Sequence, residues 1–212
     1  MLILFIADTH GELDYTDLCV VPFDTTPDCI IYLGDIQLRD YITVNASPKL
    51  KRVPQGAVLG NHDGKNTLQI LHRRGLQVVD LNERMFRLQD VSFVGLSGAL
   101  RYKDDEHFCF LSHQESVEKM MRLPPADIVI SHDYPFFGPL VPGKDYQDPH
   151  EGLFGLGQYV EKHHPQYLFH GHLHENYERN VRGTQTVGIY GCVLVEVTKK
   201  DNRILCKRIV VT

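Results

Sequence analysis

One unit recurs along this sequence: a short run of consecutive apolar residues that stops abruptly in a polar cluster. LILFIAD, DCIIYLGD, GAVLGNHD, ADIVISHD and YLFHGHLH all have this form. The first four place strands at residues 2–7, 28–33, 56–59 and 126–131, and the last places one running through HGHLH. Apolar residues without alternation mean strands covered on both faces, the habit of sheets in α/β proteins. Between them, 66–74 has helical periodicity and stops at Gly75, which suits a helix C-terminus. Residues 114–122 read as a helix between a Ser112 cap and Pro124-Pro125, and 153–164 as one ended by Pro165. Short strands are expected within 77–97, and TQTVGIYG, CVLVEVT and RILCKRIVV read as strands, with KKDN (199–202) as a hairpin turn. The expectation is an α/β fold with antiparallel strands in the middle and at the end, and one domain over 1–212.

The polar clusters carry the chemistry. Asp8 and His10 follow the first strand, Asp35 the second, Asn61 and His62 the third, His132 the fourth, and His172 and His174 the last. The C-terminal edge of such strands is where open α/β sheets bind ligands, so residues far apart in sequence are expected to converge there. Oxygen and imidazole donors without thiolate suit divalent manganese, iron, zinc or nickel. Asp8, His10, Asp35, Asn61, His132, His172 and His174 are too many ligands for one ion and about right for two. Two dications held by only two carboxylates leave a positive site that attracts an anionic ester and acidifies a water. Hydrolysis of a phosphate ester is the natural use. Within HGHLHE, His170, His172 and His174 alternate and would share one face of an extended chain. They are either a self-contained three-histidine site or are divided among ligands from elsewhere.

Composition narrows the partners. With 22 basic against 27 acidic residues, net charge −5, no general attraction to nucleic acid is expected. Cys19, Cys29, Cys109, Cys192 and Cys206 are odd in number, scattered and without a CxxC pair, which indicates reduced thiols and a cytoplasmic protein. The apolar N-terminus is short and runs straight into Asp8, so it reads as a strand and not as a signal peptide or membrane span.

The ordered series DTH, GD, GNHD, SHD and GHLH, from residue 8 to residue 174, resembles the calcineurin-like metallophosphoesterases. That resemblance implies a two-sheet β-sandwich flanked by helices, a four-layer αββα fold. It implies a centre of two divalent metal ions, manganese foremost, whose bridging hydroxide attacks phosphorus. Asp8, His10, Asp35 and His174 would hold one ion; Asp35 as the bridge, with Asn61, His132 and His172, would hold the other. His62 matches the histidine that contacts phosphate and protonates the leaving group, a role suited to a side chain that titrates near neutrality. Arg39 falls where many members carry an arginine that clamps phosphate oxygens. The stretch GDIQLRD has Leu38 where phosphoprotein phosphatases have an aspartate, which argues against protein substrates. The function implied is a phosphodiesterase or phosphatase on a small substrate. The alternatives are a DNA nuclease of the same superfamily or a non-catalytic scaffold that keeps the fold.

His170 lies outside the GHLH element and is read as a supporting or packed histidine. Asp63 is read as a cap for the helix that follows, or as a partner of His62. The long Pro-, Gly- and aromatic-rich loop 133–152 holds His150, which either approaches substrate or is solvated, and Tyr134, Phe136 and Phe137, which either stack on substrate or pack. His72, His107, His113, His163 and His164 are read as surface residues.

Overall fold

The computed structural model describes residues 1–14, 26–37, 43–45, 48–140 and 148–209. Its first part comprises β1 (Leu2–Ala7), β2 (Glu12–Asp14), β3 (Cys29–Leu33), β4 (Thr43–Asn45), α1 (Pro48–Lys51), β5 (Gln55–Val58), α2 (Thr67–Arg73) and β6 (Val78–Asp80). Next come β7 (Met85–Leu88), β8 (Val91–Leu96), β9 (Ala99–Leu100), β10 (Phe110–Leu111), α3 (His113–Met121), β11 (Ile128–Ser131), α4 (Phe154–His163) and β12 (Tyr167–His170). The last elements are β13 (Tyr177–Val181), β14 (Thr184–Gly188), β15 (Gly191–Lys200) and β16 (Arg203–Ile209).

These strands build two six-stranded sheets, in the orders β16-β15-β1-β3-β5-β6 and β13-β14-β12-β11-β8-β7. In the first, β1, β3, β5 and β6 are parallel, and β15 and β16 are added antiparallel. In the second, β8, β11, β12 and β14 are parallel between antiparallel β7 and β13.

The period of two along each strand explains the unbroken apolar runs. Ile3, Phe5 and Ala7 face inward and join Ile31, Leu33, Phe93, Ile128, Ile130 and Phe169 in the cluster between the sheets. Phe5 and Phe169 stack across it with centroids 4.4 Å apart. Leu4, Ile6, Ile30 and Tyr32 take the opposite face and pack with Leu71 of α2. On the far side Val94, Val129 and Leu168 pack with Met120 of α3 and with Leu156 and Tyr159 of α4. The result is four layers, helix–sheet–sheet–helix. Among the described residues, no helix is long and apolar enough to cross a membrane.

Local signals hold at the element ends. Ser112 caps α3 through a reciprocal capping box with Glu115. The hairpin turn narrows to Asp201 and Asn202, both at positive φ, because Lys199 and Lys200 still belong to β15. The strand does not run on through HGHLH: β12 stops at His170, so His172 and His174 follow it, as the other polar clusters follow their strands, and do not share a strand face. His113 is also not a surface residue. It is buried at the start of α3, its ring stacked on Phe136.

An ion pair spans the two sheets. Asp127, just before β11, accepts hydrogen bonds from the amide (2.9 Å) and hydroxyl (2.8 Å) of Ser92 in β8 and from Lys199 Nζ (2.9 Å) in β15. Burial works to raise the Asp127 pKa, but the Ser92 amide, Lys199 and the Ser92 hydroxyl outweigh it and hold the carboxyl below its ordinary value. The stabilisation is therefore present above the unfolded-state pKa and lost as pH falls through the lower folded one. Asp127→Asn is expected to cost roughly 1–3 kcal/mol at neutral pH, measured by urea unfolding. The deficit should shrink as pH drops below about 4. A deficit unchanged in strong acid would show that the carboxylate charge contributes nothing.

Candidate metal centre

The parallel strands of both sheets deliver their polar ends to one place. Asp8 follows β1, Asp35 follows β3, Asn61 follows β5, His132 follows β11, and His172 follows β12. Asp8, His10, Asp35, His172 and His174 all have left-handed backbone, with φ between 46° and 69°. That region costs a non-glycine residue about 1 kcal/mol or more, and Asp and His are among the few types that enter it readily. Gly34 (φ 91°) and Gly60 then let these turns close on one another. A Cβ on Gly34 would lie 2.6 Å from the Gly60 nitrogen and on top of His132, and one on Gly60 would overlap the Asp35 carboxylate. The glycines of GD and GNH are thus needed for close approach of the ligand-bearing turns.

Two groups of donors result. Asp8, His10 and His174 form one, and Asp35, His132 and His172 the other; within each group the ligand atoms lie within 4.8 Å of one another. Asn61 joins the second group, its side-chain oxygen 2.9 Å from His132 Nε2. Asp8 accepts the His172 amide on both carboxylate oxygens at 3.1 Å, and Asp35 Oδ1 accepts the His62 amide at 2.8 Å.

The residues fit a bound cation on their own chemistry. His132 Nδ1 donates to the Leu33 carbonyl at 2.8 Å, so in the neutral ring Nε2 carries the lone pair. Burial, the largest influence, lowers the His132 pKa and keeps the ring neutral. Its Nε2 then faces the Asn61 oxygen at 2.9 Å and Asp35 Oδ1 at 3.5 Å: acceptors aimed at acceptors. In the other group His10 Nε2 and His174 Nε2 stand 3.1 Å apart, with Asp8 Oδ1 3.8 Å from the latter. Burial and the charge of Asp35 push Asp8 up to about 8, the response of a carboxyl that lacks a countercharge. A divalent cation at each group would draw these nitrogen and oxygen donors into coordination.

His62 is exposed beside the first group, its ring edge-to-face against His10 at 5.2 Å. Arg39 and Leu38 lie outside the described residues. His170 belongs to neither group: it is fully buried, with Nδ1 donating to Gly171 O (2.8 Å) and Nε2 accepting from the Tyr177 hydroxyl (2.6 Å). Burial pushes its pKa down to about 3, so the ring is neutral.

Asp63 neither caps a helix nor pairs with His62. It is fully buried, with Oδ1 accepting the Ile36 and Gln37 amides (2.9 and 2.8 Å) and Oδ2 the Gly60 amide (2.8 Å). It clips the turn after Asp35 to the turn before Asn61. Adjacency to GNH marks the position in sequence, but nothing local shows which way the carboxylate points.

Two further contacts had no signal in the sequence. Pro149 O accepts from His172 Nε2 at 2.7 Å, which leaves Nδ1 as the nitrogen with a lone pair. Tyr190, exposed at the rim, stacks on His174 with centroids 5.1 Å apart.

Several solved structures share the fold. The TT1561 protein of Thermus thermophilus superposes with a TM-score of 0.58 at 13% identity, over 98% of each chain. The phosphopantetheinyl hydrolase of Mycobacterium tuberculosis gives 0.53 at 13% identity, over 89% of each. A putative 5'-nucleotidase from Staphylococcus aureus gives 0.50 at 16% identity, over 98% of this chain and 52% of that one. At such identities the likeness concerns fold alone. No curated protein matches the sequence. Residues 1–197, and with them every donor described above, match the calcineurin-like phosphoesterase superfamily domain, and the chain belongs to that superfamily.

Proposed function

We propose that this chain hydrolyses esters of phosphoric acid on a small substrate, as a phosphodiesterase or phosphatase, with two divalent metal ions. Superfamily membership supports phosphoester hydrolysis in general. What supports the finer reading is the convergence of Asp8, His10 and His174 with Asp35, His132 and His172 where the parallel strands of both sheets end. In this reading the first group would hold one ion and the second, together with Asn61, the other, with Asp35 serving both. Manganese is the first candidate, since nitrogen and oxygen donors accept several divalent metals. Two such ions supply Lewis-acid stabilisation of phosphoryl charge and an activated nucleophile at neutral pH.

The protein's own groups orient and protonate. Leu33 O and Pro149 O fix the tautomers of His132 and His172, so that each ring directs a lone pair away from its backbone partner. The His172 amide steadies Asp8, and the His62 amide steadies Asp35. With its backbone tied to Asp35 and its ring exposed beside His10, His62 is placed to donate a proton to the departing alkoxide. Arg39 is proposed to clamp phosphate oxygens.

The test is a hydrolysis panel of mono- and diesters, cyclic nucleotides and dinucleoside polyphosphates with metal-stripped and manganese-loaded protein. Stripped protein is expected to be inactive and manganese to restore turnover. Asp35→Asn should abolish it. His62→Ala should keep its metal while kcat falls roughly 10²–10⁴-fold. By elemental analysis His172→Ala and His174→Ala should each lose one metal, whereas His170→Ala keeps both. Turnover by stripped protein, full activity of Asp35→Asn, or metal loss in His170→Ala would refute the assignment.

A further inference from the structure

We infer that His150 is a second substrate-contacting histidine, donating a ring N–H to a phosphoryl oxygen over the Asp35–His132–His172 group; the inference rests on the phosphoesterase reading above. His62 stands beside the other group, with its ring against His10 at 5.2 Å. His150 likewise stands beside a donor histidine, its ring against His172 at 4.8 Å and tilted by 36°. Two exposed imidazoles thus each lean on a histidine of a different donor group.

The loop's own hydrogen bonds deliver His150 to this position. After β11 the chain leaves through Tyr134, Pro135 and Phe136 and returns through 148–153. The limbs are joined by Leu153 N to Tyr134 O (2.8 Å) and Phe136 N to Leu153 O (3.1 Å). The Tyr134 hydroxyl donates to the His150 carbonyl. Asp148 closes a turn beneath it, accepting the His150 amide on Oδ1 (2.9 Å) and the Glu151 amide on its carbonyl (3.2 Å). Pro149 O, one residue earlier, holds His172 Nε2. The peptide around His150 is therefore fixed to the loop's own base and to a candidate ligand. Its imidazole is left exposed, and among the described residues neither ring nitrogen makes a hydrogen bond. A neutral imidazole always has one N–H to give, and a phosphoryl oxygen is a strong acceptor.

The competing role, a ring that only shields His172, is separable because phenylalanine preserves stacking and removes the donor. The full chain loaded with manganese is compared as parent, His150→Phe and His150→Gln. Metal content is measured by elemental analysis, inorganic phosphate binding by calorimetry, and KM and kcat on a chromogenic phosphodiester. The expectation is that His150→Phe keeps both metals, binds phosphate about tenfold more weakly and raises KM by a similar factor. The kcat should stay close to the parent's, and His150→Gln, which restores an N–H, should recover part of the loss. A His150→Phe protein that binds phosphate like the parent overturns the inference, and so does one that loses a metal, since the ring would then serve His172. A parent that binds phosphate but hydrolyses no ester refutes the phosphoesterase reading, while the phosphate titration still decides for or against His150. A parent that binds no phosphate refutes the inference.

Discussion

The carboxylate of Asp63 is the constraint on which the arrangement depends. It is fully buried, and both of its oxygens are engaged by the backbone amides of Ile36, Gln37 and Gly60. Burial and the charge of Asp35 push the Asp63 pKa up to about 7 against the pull of these amides, and removing the acceptor would leave three buried donors unpaired. What these hydrogen bonds hold is the junction between the turns that follow β3 and β5. Those turns carry Asp35 and Asn61, and they approach so closely that a side chain at Gly34 or Gly60 would collide with His132 or Asp35. From that junction the rest of the centre follows: His132 leans in from β11 with its Nδ1 on Leu33, and Asp8 reaches across to the His172 amide.

The centre is destabilising in the absence of a cation. Left-handed backbone at Asp8, His10, Asp35, His172 and His174 stores strain, and in the Asp35 group the His132 lone pair faces the Asn61 oxygen. A packed protein tolerates such conflict only where surrounding structure enforces it. Here the enforcement comes from two sheets pressed together through Phe5, Phe93, Ile130 and Phe169, with helices sealing the outer faces. The instability of the donor set and the stiffness of the frame belong together, since metal binding relieves the first only if the second holds the ligands in place.

Much of the frame was legible along the chain. Runs such as LILFIA and CIIYL, without alternation, announce strands covered on both faces, and the sheets show why: odd and even positions enter different cores. The chain segments β2, β4, β9 and β10 gave no signal, because two or three residues cannot display a period. Other readings failed where direction mattered more than position. Asp63 looked like a helix cap because it precedes α2, yet its carboxylate turns back to the strand ends. His113 looked solvated, yet it is buried against Phe136 at the α3–α4 contact. The alternation in HGHLH suggested one face of a strand, but the strand ends at His170, and the next two histidines lie in left-handed turns.

The sequence by itself determined the strands, their polar ends and the chemical character of the donors, because each of these depends on a handful of adjacent residues. It also determined family, through five short motifs kept in order. Tertiary structure alone decided which donors meet. His170, His172 and His174 are near neighbours in the chain, yet one is buried against Tyr177, one joins Asp35 and His132, and one joins Asp8 and His10. That division arises from the packing of two sheets and the turns between their strands, and so do the tautomers set by Leu33 and Pro149 and the placement of His150 on His172. Apart from His170 and Tyr177, these are contacts between residues tens to more than a hundred positions apart, fixed by close packing and hydrogen-bond geometry that no local pattern encodes.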